Sequence, residues 1–332
     1  MNSLFLVFVY TMALLYESAS PARTDEKDTQ YKCGKRQKEK HISGRIINGT
    51  EALPEHWPWM VAIYNSNDTL LCGGVLIGEK YVVTATHCFL NKDGHEFSVR
   101  LGTTLETNVS QCNAPQDQEY NDNPESQVIC AEVDSICTPI QNNCGLFMKD
   151  IAVVKLKTKV KYTDYIQPIC LPENCVDPPA TASSASYAAE YHNSDKYEET
   201  KLVVFRYANT LMERKLHLMD QEQCSAQMKS EVPGYIICTS GGACYGDSGG
   251  PLIYEDNGRW TLIGVISDGP DNCLYPERPL LFVKVSHFVD SLISKFMEPG
   301  SHSDKNSTCA TENARKECVT KFYQFYNQSV EP

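Results

Sequence analysis

From residue 46 onward the sequence predicts an all-β fold, a barrel or a sandwich, closed by one helix. Short β-branched and aromatic runs recur there, broken by Gly, Pro and Asn, and they do not alternate with helices as βαβ units do. Near the end, Val289, Leu292, Ile293 and Phe296 fall at the i, i+3, i+4, i+7 spacing of one helix face, and Pro299-Gly300 stops it. The expected strands, in order, are Trp59 to Tyr64, Gly74 to Ile77, Tyr81 to Thr84, Ile151 to Leu156, Leu202 to Phe205, Trp260 to Ile266 and Leu281 to Val285. Each is of strand length and bounded by turn formers.

Composition narrows the class. The 332 residues are 42% hydrophobic and 22% charged, which is ordinary for a globular chain and excludes disordered, collagen-like and membrane-bundle readings. A formal charge of -12 disfavours nucleic acid and anionic membrane as partners, because neither attracts an acidic surface. The 15 cysteines form no repeated CxxC pattern for zinc and point to disulfides in an exported protein. Their odd number forbids complete internal pairing.

Export has two further signs. Leu4 to Leu15 has the length of a signal-peptide core, short of the roughly 20 residues that span a bilayer, and Ser18-Ala19-Ser20 offers a small-residue cleavage site. Residues 1–20 are therefore expected to be a signal peptide; no Lys or Arg precedes the apolar run, so a short core helix is the alternative. Five N-x-S/T sequons, at Asn48, Asn67, Asn108, Asn306 and Asn327, fit a secreted, extracellular glycoprotein. Residues 21–45 are polar, basic toward their end, and contain Cys33; they carry too little apolar surface for a core. Residues 299–332 form a polar tail with Cys309, Cys318 and an aromatic patch of Phe322, Tyr323, Phe325 and Tyr326. That tail is expected to be buried rather than free.

Three short segments carry chemistry. Thr84-Ala85-Thr86-His87-Cys88 follows an expected strand, Asp150 opens another, and Gly246-Asp247-Ser248-Gly249-Gly250-Pro251 is a glycine-rich turn before a third. A serine hydroxyl is a weak nucleophile unless an imidazole takes its proton, and the imidazole needs a carboxylate to fix its tautomer. Singly, these residues are a core histidine, a strand-cap aspartate and a tight turn. Together they are hard to explain as structure alone.

With Arg45-Ile46-Ile47-Asn48-Gly49, these segments make residues 46–297 resemble the chymotrypsin/trypsin family of serine endopeptidases. The resemblance implies a double six-stranded antiparallel β-barrel with a C-terminal α-helix, and a protease domain over residues 46–298. It implies His87 as general base, Asp150 as its orienting carboxylate and Ser248 as nucleophile, with the N–H groups of Gly246 and Ser248 as oxyanion hole. It also implies activation of a zymogen: cleavage after Arg45, within an activation propeptide of residues 21–45, frees the Ile46 amino group to pair with Asp247. No cofactor and no metal are implied; Thr103 stands where calcium-binding relatives carry glutamate.

By the same resemblance Cys72 pairs with Cys88, Cys224 with Cys238, Cys244 with Cys273, and Cys33 with Cys170, so the severed propeptide stays attached. Cys112, Cys130, Cys137, Cys144, Cys175, Cys309 and Cys318 remain. Four of these lie between Gly102 and Asp150, where an insertion with two bridges of its own is expected. Cys309 and Cys318 are expected to close a loop in the tail, leaving Cys175 unpaired.

The departures from the family bear on specificity. Gly242 stands where tryptic enzymes place aspartate, so preference for Lys or Arg before the scissile bond is not expected. The pocket wall reads Ser267-Asp268-Gly269 instead of Ser-Trp-Gly, and Leu280 takes the place of a glycine that keeps the pocket open. With Gly242 and Ala243 as floor, the expected preference is a small or medium apolar residue. The family's Gly-Trp-Gly segment is missing around Ala182 to Ser194. Two functions follow: a secreted serine endopeptidase acting on a protein or peptide substrate, with a trypsin-like activating protease and protein inhibitors as partners, or a catalytically impaired binding or adhesion protein on the same barrels.

Overall fold

A computed structural model describes residues 33–36, 50–89, 96–104, 112, 128–142, 144–173, 178–186, 189–191, 205–207, 210–240, 247–269, 278–298 and 308–328. The strands in chain order are β1 (Thr50–Glu51), β2 (Met60–Asn65), β3 (Leu70–Gly78), β4 (Tyr81–Thr84), β5 (Phe97–Leu101), β6 (Ile129–Cys137), β7 (Ala152–Leu156), β8 (Thr181–Ser186), β9 (Ala189–Tyr191), β10 (Phe205–Tyr207), β11 (Met212–Met219), β12 (Ile236–Ser240), β13 (Pro251–Asp256), β14 (Arg259–Asp268) and β15 (Leu280–Lys284).

Two antiparallel six-stranded barrels result. The first closes in the order β2-β3-β4-β7-β6-β5, with β5 returning to β2. The second runs β11-β12-β15-β14-β13-β8 and closes through the pairing of β8 with β11, while β1 adds to the outer edge of β11. Closure leaves neither sheet with a long open edge. Inside, strand alternation sorts the side chains: along β15, Leu280 and Phe282 join a cluster with Leu216, Ile237, Leu252 and Ile266, while Leu281 and Val283 face the larger core.

Glycines decide how closely the barrels approach. The Gly73 N–H donates to the Ser248 carbonyl at 2.8 Å, tying β3 to the turn before β13. Gly249 sits at φ 78°, and a Cβ there would collide with the Thr84 hydroxyl and the Gly73 carbonyl.

Helix α1 (Gln221–Met228) starts at Asp220, whose side chain accepts from the Gln223 N–H. The expected closing helix is a π-turn over Val289–Ile293 that continues as α2 (Ser294–Met297), with Leu292, Ile293 and Phe296 buried. The tail was not expected to be helical, yet α3 spans Glu312–Gln328. Its residues Arg315, Cys318, Val319 and Phe322 are buried at the i, i+3, i+4, i+7 spacing, and Glu312–Lys316 and Glu317–Lys321 pairs lie along it.

The disulfides correct the expected tail loop. Cys112 pairs with Cys130 within the insertion, but Cys137 bonds to Cys309 and Cys144 to Cys318. The reason is the helix: from Glu312 to Cys318 it rises about 9 Å, carrying Cys318 away from Cys309. Cys309 is held at the end of β6 by a bridge to Pro139, and the Ala310 N–H donates to the Thr138 carbonyl at 2.9 Å. Insertion and tail are thus one cross-linked layer. Cys175 lies outside the described residues.

Candidate active site

The register of the first barrel brings His87 and Asp150 together. Thr84, the last residue of β4, pairs with Ala152, the first of β7. His87 follows on a 3-10 turn (Thr86–Phe89), and Asp150 lies two residues before the opposite strand begins at Ala152, so both emerge at one barrel end. The Thr86 hydroxyl donates to the Ile151 carbonyl at 2.7 Å, fixing one segment against the other.

Asp150 is fully buried and accepts three hydrogen bonds. The His87 N–H reaches Oδ1 at 2.9 Å, His87 Nδ1 lies 2.6 Å from Oδ2, and the Ser267 hydroxyl donates to Oδ2 at 2.7 Å. A carboxylate so held selects the Nδ1–H tautomer and leaves Nε2 as the free acceptor of the neutral ring. Burial alone would lower the His87 pKa. The Asp150 charge, its hydrogen bond and the more distant Asp268 charge outweigh burial, and the pKa stands above its ordinary 6.5.

Ser248 lies in the turn before β13. Its carbonyl is bound by Gly73, the Gly250 N–H donates to the Asp247 carbonyl at 3.0 Å, and the Gly249 N–H donates to the Ile266 carbonyl at 2.9 Å. Asp247 is buried. The Ser248 turn is therefore locked between β3, the end of β4 and β14. Arg45, Ile46, Gly242, Ala243, Cys244, Gly246 and Cys273 lie outside the described residues, as do Asn48, Asn108 and Asn306. Asn67 is exposed in the turn between β2 and β3, and Asn327 is in the last turn of α3.

Cys72 and Cys88 bond immediately beside His87. Their sulfurs and the imidazole lie within 4.8 Å of one another, but a disulfide has no thiolate to offer a metal. Cys224–Cys238 joins α1 to β12. Cys33–Cys170 fixes the short segment 33–36, in which the Gly34 N–H donates to the Pro168 carbonyl at 2.8 Å, the Gly34 carbonyl accepts from the Trp260 N–H at 2.9 Å, and Arg36 lies 3.9 Å above the Trp260 ring.

Ser267 and Asp268 end β14, and Gly269 follows it. Ser267 reaches the Asp150 carboxylate, a contact that its expected place in a pocket wall did not announce. Asp268, with its side chain 3% exposed, pairs with Arg278 at 2.9 Å. Leu280 faces the core of the second barrel among Ile266 and Phe282.

The largest surprise is the tail. Phe322 stacks on the His87 ring with centroids 5.4 Å apart and an interplanar angle of 18°, and Tyr323 meets it edge-on at 6.2 Å. The imidazole is only 6% exposed. Burial, helped by the Asp150 charge, pushes the Tyr323 phenol up to about 12. The aromatic patch and the histidine are both visible in the sequence, but nothing in their spacing of 235 positions joins them.

The family profile described as Trypsin matches residues 46–292. Coagulation factor XI of Bos taurus is 30% identical over 266 residues, covering 78% of this chain and 39% of that protein. Urokinase-type plasminogen activator of Gallus gallus is 27% identical over 301 residues, covering 85% of this chain and 63% of that protein. The chain thus spans well under the full length of either relative. The matched span holds both barrels, the buried His87–Asp150 pair and the locked Ser248 turn, and by that match this chain belongs to the trypsin family of serine proteases.

Proposed function

We propose that the chain is a secreted, zymogen-derived serine endopeptidase that cleaves protein or peptide substrates through an acyl-enzyme. The observation that carries this reading is the buried Asp150 carboxylate, whose hydrogen bonds from the His87 N–H, Nδ1 and Ser267 hold Nε2 ready to accept a proton. Ser248 Oγ bonds to the scissile carbonyl carbon while its proton passes to Nε2. The carbonyl oxygen, now negative, is stabilised by the Gly246 and Ser248 N–H groups, and collapse breaks the C–N bond as Nε2 protonates the leaving amine. Water then repeats the sequence on the ester and frees Ser248.

Several sequence features support the finer reading. Six disulfides among the described residues fit an oxidising, extracellular setting. Arg45-Ile46 supports activation by a trypsin-like protease, with Asp247 receiving the new amino group. Gly242 and Ala243 support a preference for a small or medium apolar residue before the scissile bond, and such an enzyme does not cut its own Arg45-Ile46 bond.

The stacking of Phe322 on His87 favours a second reading, a protease-fold binding protein with impaired catalysis. Labelling with a small fluorophosphonate or sulfonyl fluoride after cleavage at Arg45 separates the two. The expected result is a single adduct on Ser248, found by peptide mass spectrometry; an unlabelled serine in correctly cleaved protein supports the binding reading.

A further inference from the structure

We propose that the tail helix α3 is a permanent wall of the substrate cleft and that Phe322 is a specificity-determining residue, restricting the protease to substrates with a small side chain at the position lying against the His87 ring. This rests on the protease reading above. Phe322 is 4% exposed and covers one imidazole face, within a buried cluster that includes Met148 and Val319. Met148 is two residues before Asp150, so the cluster is built on the segment that delivers the catalytic carboxylate. The Tyr323 hydroxyl, 3.5 Å from the His87 carbonyl, adds a second contact to the same residue.

The covalent framework makes this a wall and not a lid. Cys318 precedes Phe322 by four residues, one helical turn on the same face, and is bonded to Cys144. Cys137–Cys309 holds the start of the tail. Phe322 cannot swing away from the imidazole as long as Cys144–Cys318 is intact and the helix holds. His87 thus has the Cys72–Cys88 disulfide beside it and Phe322 stacked on its ring, so a substrate side chain approaching that face of the imidazole meets the phenyl group. Asp268, paired with Arg278, stands near enough to raise the His87 pKa, which adds a polar border where the resemblance expects an indole.

The experiment uses the full disulfide-bonded chain, cleaved after Arg45, and a peptide panel varied one position at a time on both sides of the scissile bond. In the unaltered protein one position is expected to accept Gly or Ala and reject large apolar residues. In Phe322→Ala the ratio of kcat/KM for Leu over Gly at that position is expected to rise by about tenfold or more, chiefly through KM, as pocket-size discrimination allows. Phe322→Tyr, which keeps the ring, is expected to keep the narrow profile; a gain for Leu confined to that one position in a Phe322→Ala protein that still takes the fluorophosphonate is what a merely structural role for the ring would not predict. A chain ending at Lys321 keeps Cys318 and both tail bridges and serves where Phe322→Ala fails to fold. Unchanged positional selectivity in variants whose Ser248 still takes the fluorophosphonate overturns the tail assignment. Failure of the unaltered protein to take the label overturns the protease reading itself, and this inference with it.

Discussion

The strongest local commitment in the molecule is the Asp150 carboxylate, buried yet accepting from the His87 N–H, His87 Nδ1 and Ser267 Oγ. A charge without water is tolerated only when so fully bonded. His87 is balanced differently: burial disfavours its cation, while Asp150 and Asp268 favour it, and the carboxylates prevail. General-base action needs the neutral ring, so kcat/KM is expected to rise with pH through a midpoint above 6.5. Asp268→Asn removes one of the raising charges and also leaves the Arg278 cation uncompensated. Its pH–rate midpoint is expected to move to lower pH, a shift readable in kcat/KM against pH or in the histidine NMR titration; an unmoved or higher midpoint contradicts the assigned electrostatics. His87, Asp150 and Ser248 were legible as candidates because each sits in a distinctive short motif, and the fold joins the first two of them. The Ser267 bond was not, since Ser267 lies 117 positions from Asp150 and its partner depends on how the barrels meet.

At the scale of elements, strand prediction followed the chemistry of the side chains. Tyr81 to Thr84 is a strand at the expected bounds, and the runs at Trp59, Gly74, Ile151, Trp260 and Leu281 lie within one or two residues of β2, β3, β7, β14 and β15, except that β3 extends further at its start. Strands such as β8 (TASSAS) and β11 (MERKLHLM) lack β-branched apolar runs; their extended form comes from barrel closure through β8–β11 pairing. Helix α3 was missed because Arg315 and a cysteine occupy half of its buried stripe, although the Glu–Lys pairs at i, i+4 were a readable signal. Its staple should matter energetically. Replacing Cys144 and Cys318 together by Ser is expected to lower stability by about 2–4 kcal/mol in urea unfolding, in the range found for native cross-links that close long loops. It should also raise amide exchange within α3 more than in the barrels.

At the scale of the whole molecule, three covalent ties reach across distant parts of the chain: Cys33–Cys170, Cys137–Cys309 and Cys144–Cys318, with sequence separations of 137, 172 and 174. The first fastens the segment around Cys33 to β14, where Gly34 fits against Trp260 at a φ of 69°. Cleavage after Arg45 is therefore expected to yield two chains that migrate together on a non-reducing gel and separate only on reduction. A light chain released without reductant would contradict the pairing. The other two ties bind the insertion and the tail over the first barrel, so the parts of the chain that depart from the family's pattern are joined to one another.

The sequence by itself determined the family and the paired-barrel fold and named His87, Asp150 and Ser248 as candidates, because those are carried by local motifs and strand-forming runs whose physics acts over a few residues. It also showed that the tail held cysteines and aromatics. Which cysteines met, and what the aromatics covered, was decided only by tertiary structure. Disulfide partners are chosen by proximity after folding, and the helix that parts Cys309 from Cys318 also carries Phe322 onto His87. No local propensity encodes that meeting; it exists only once the first barrel has closed and offered its end to the tail.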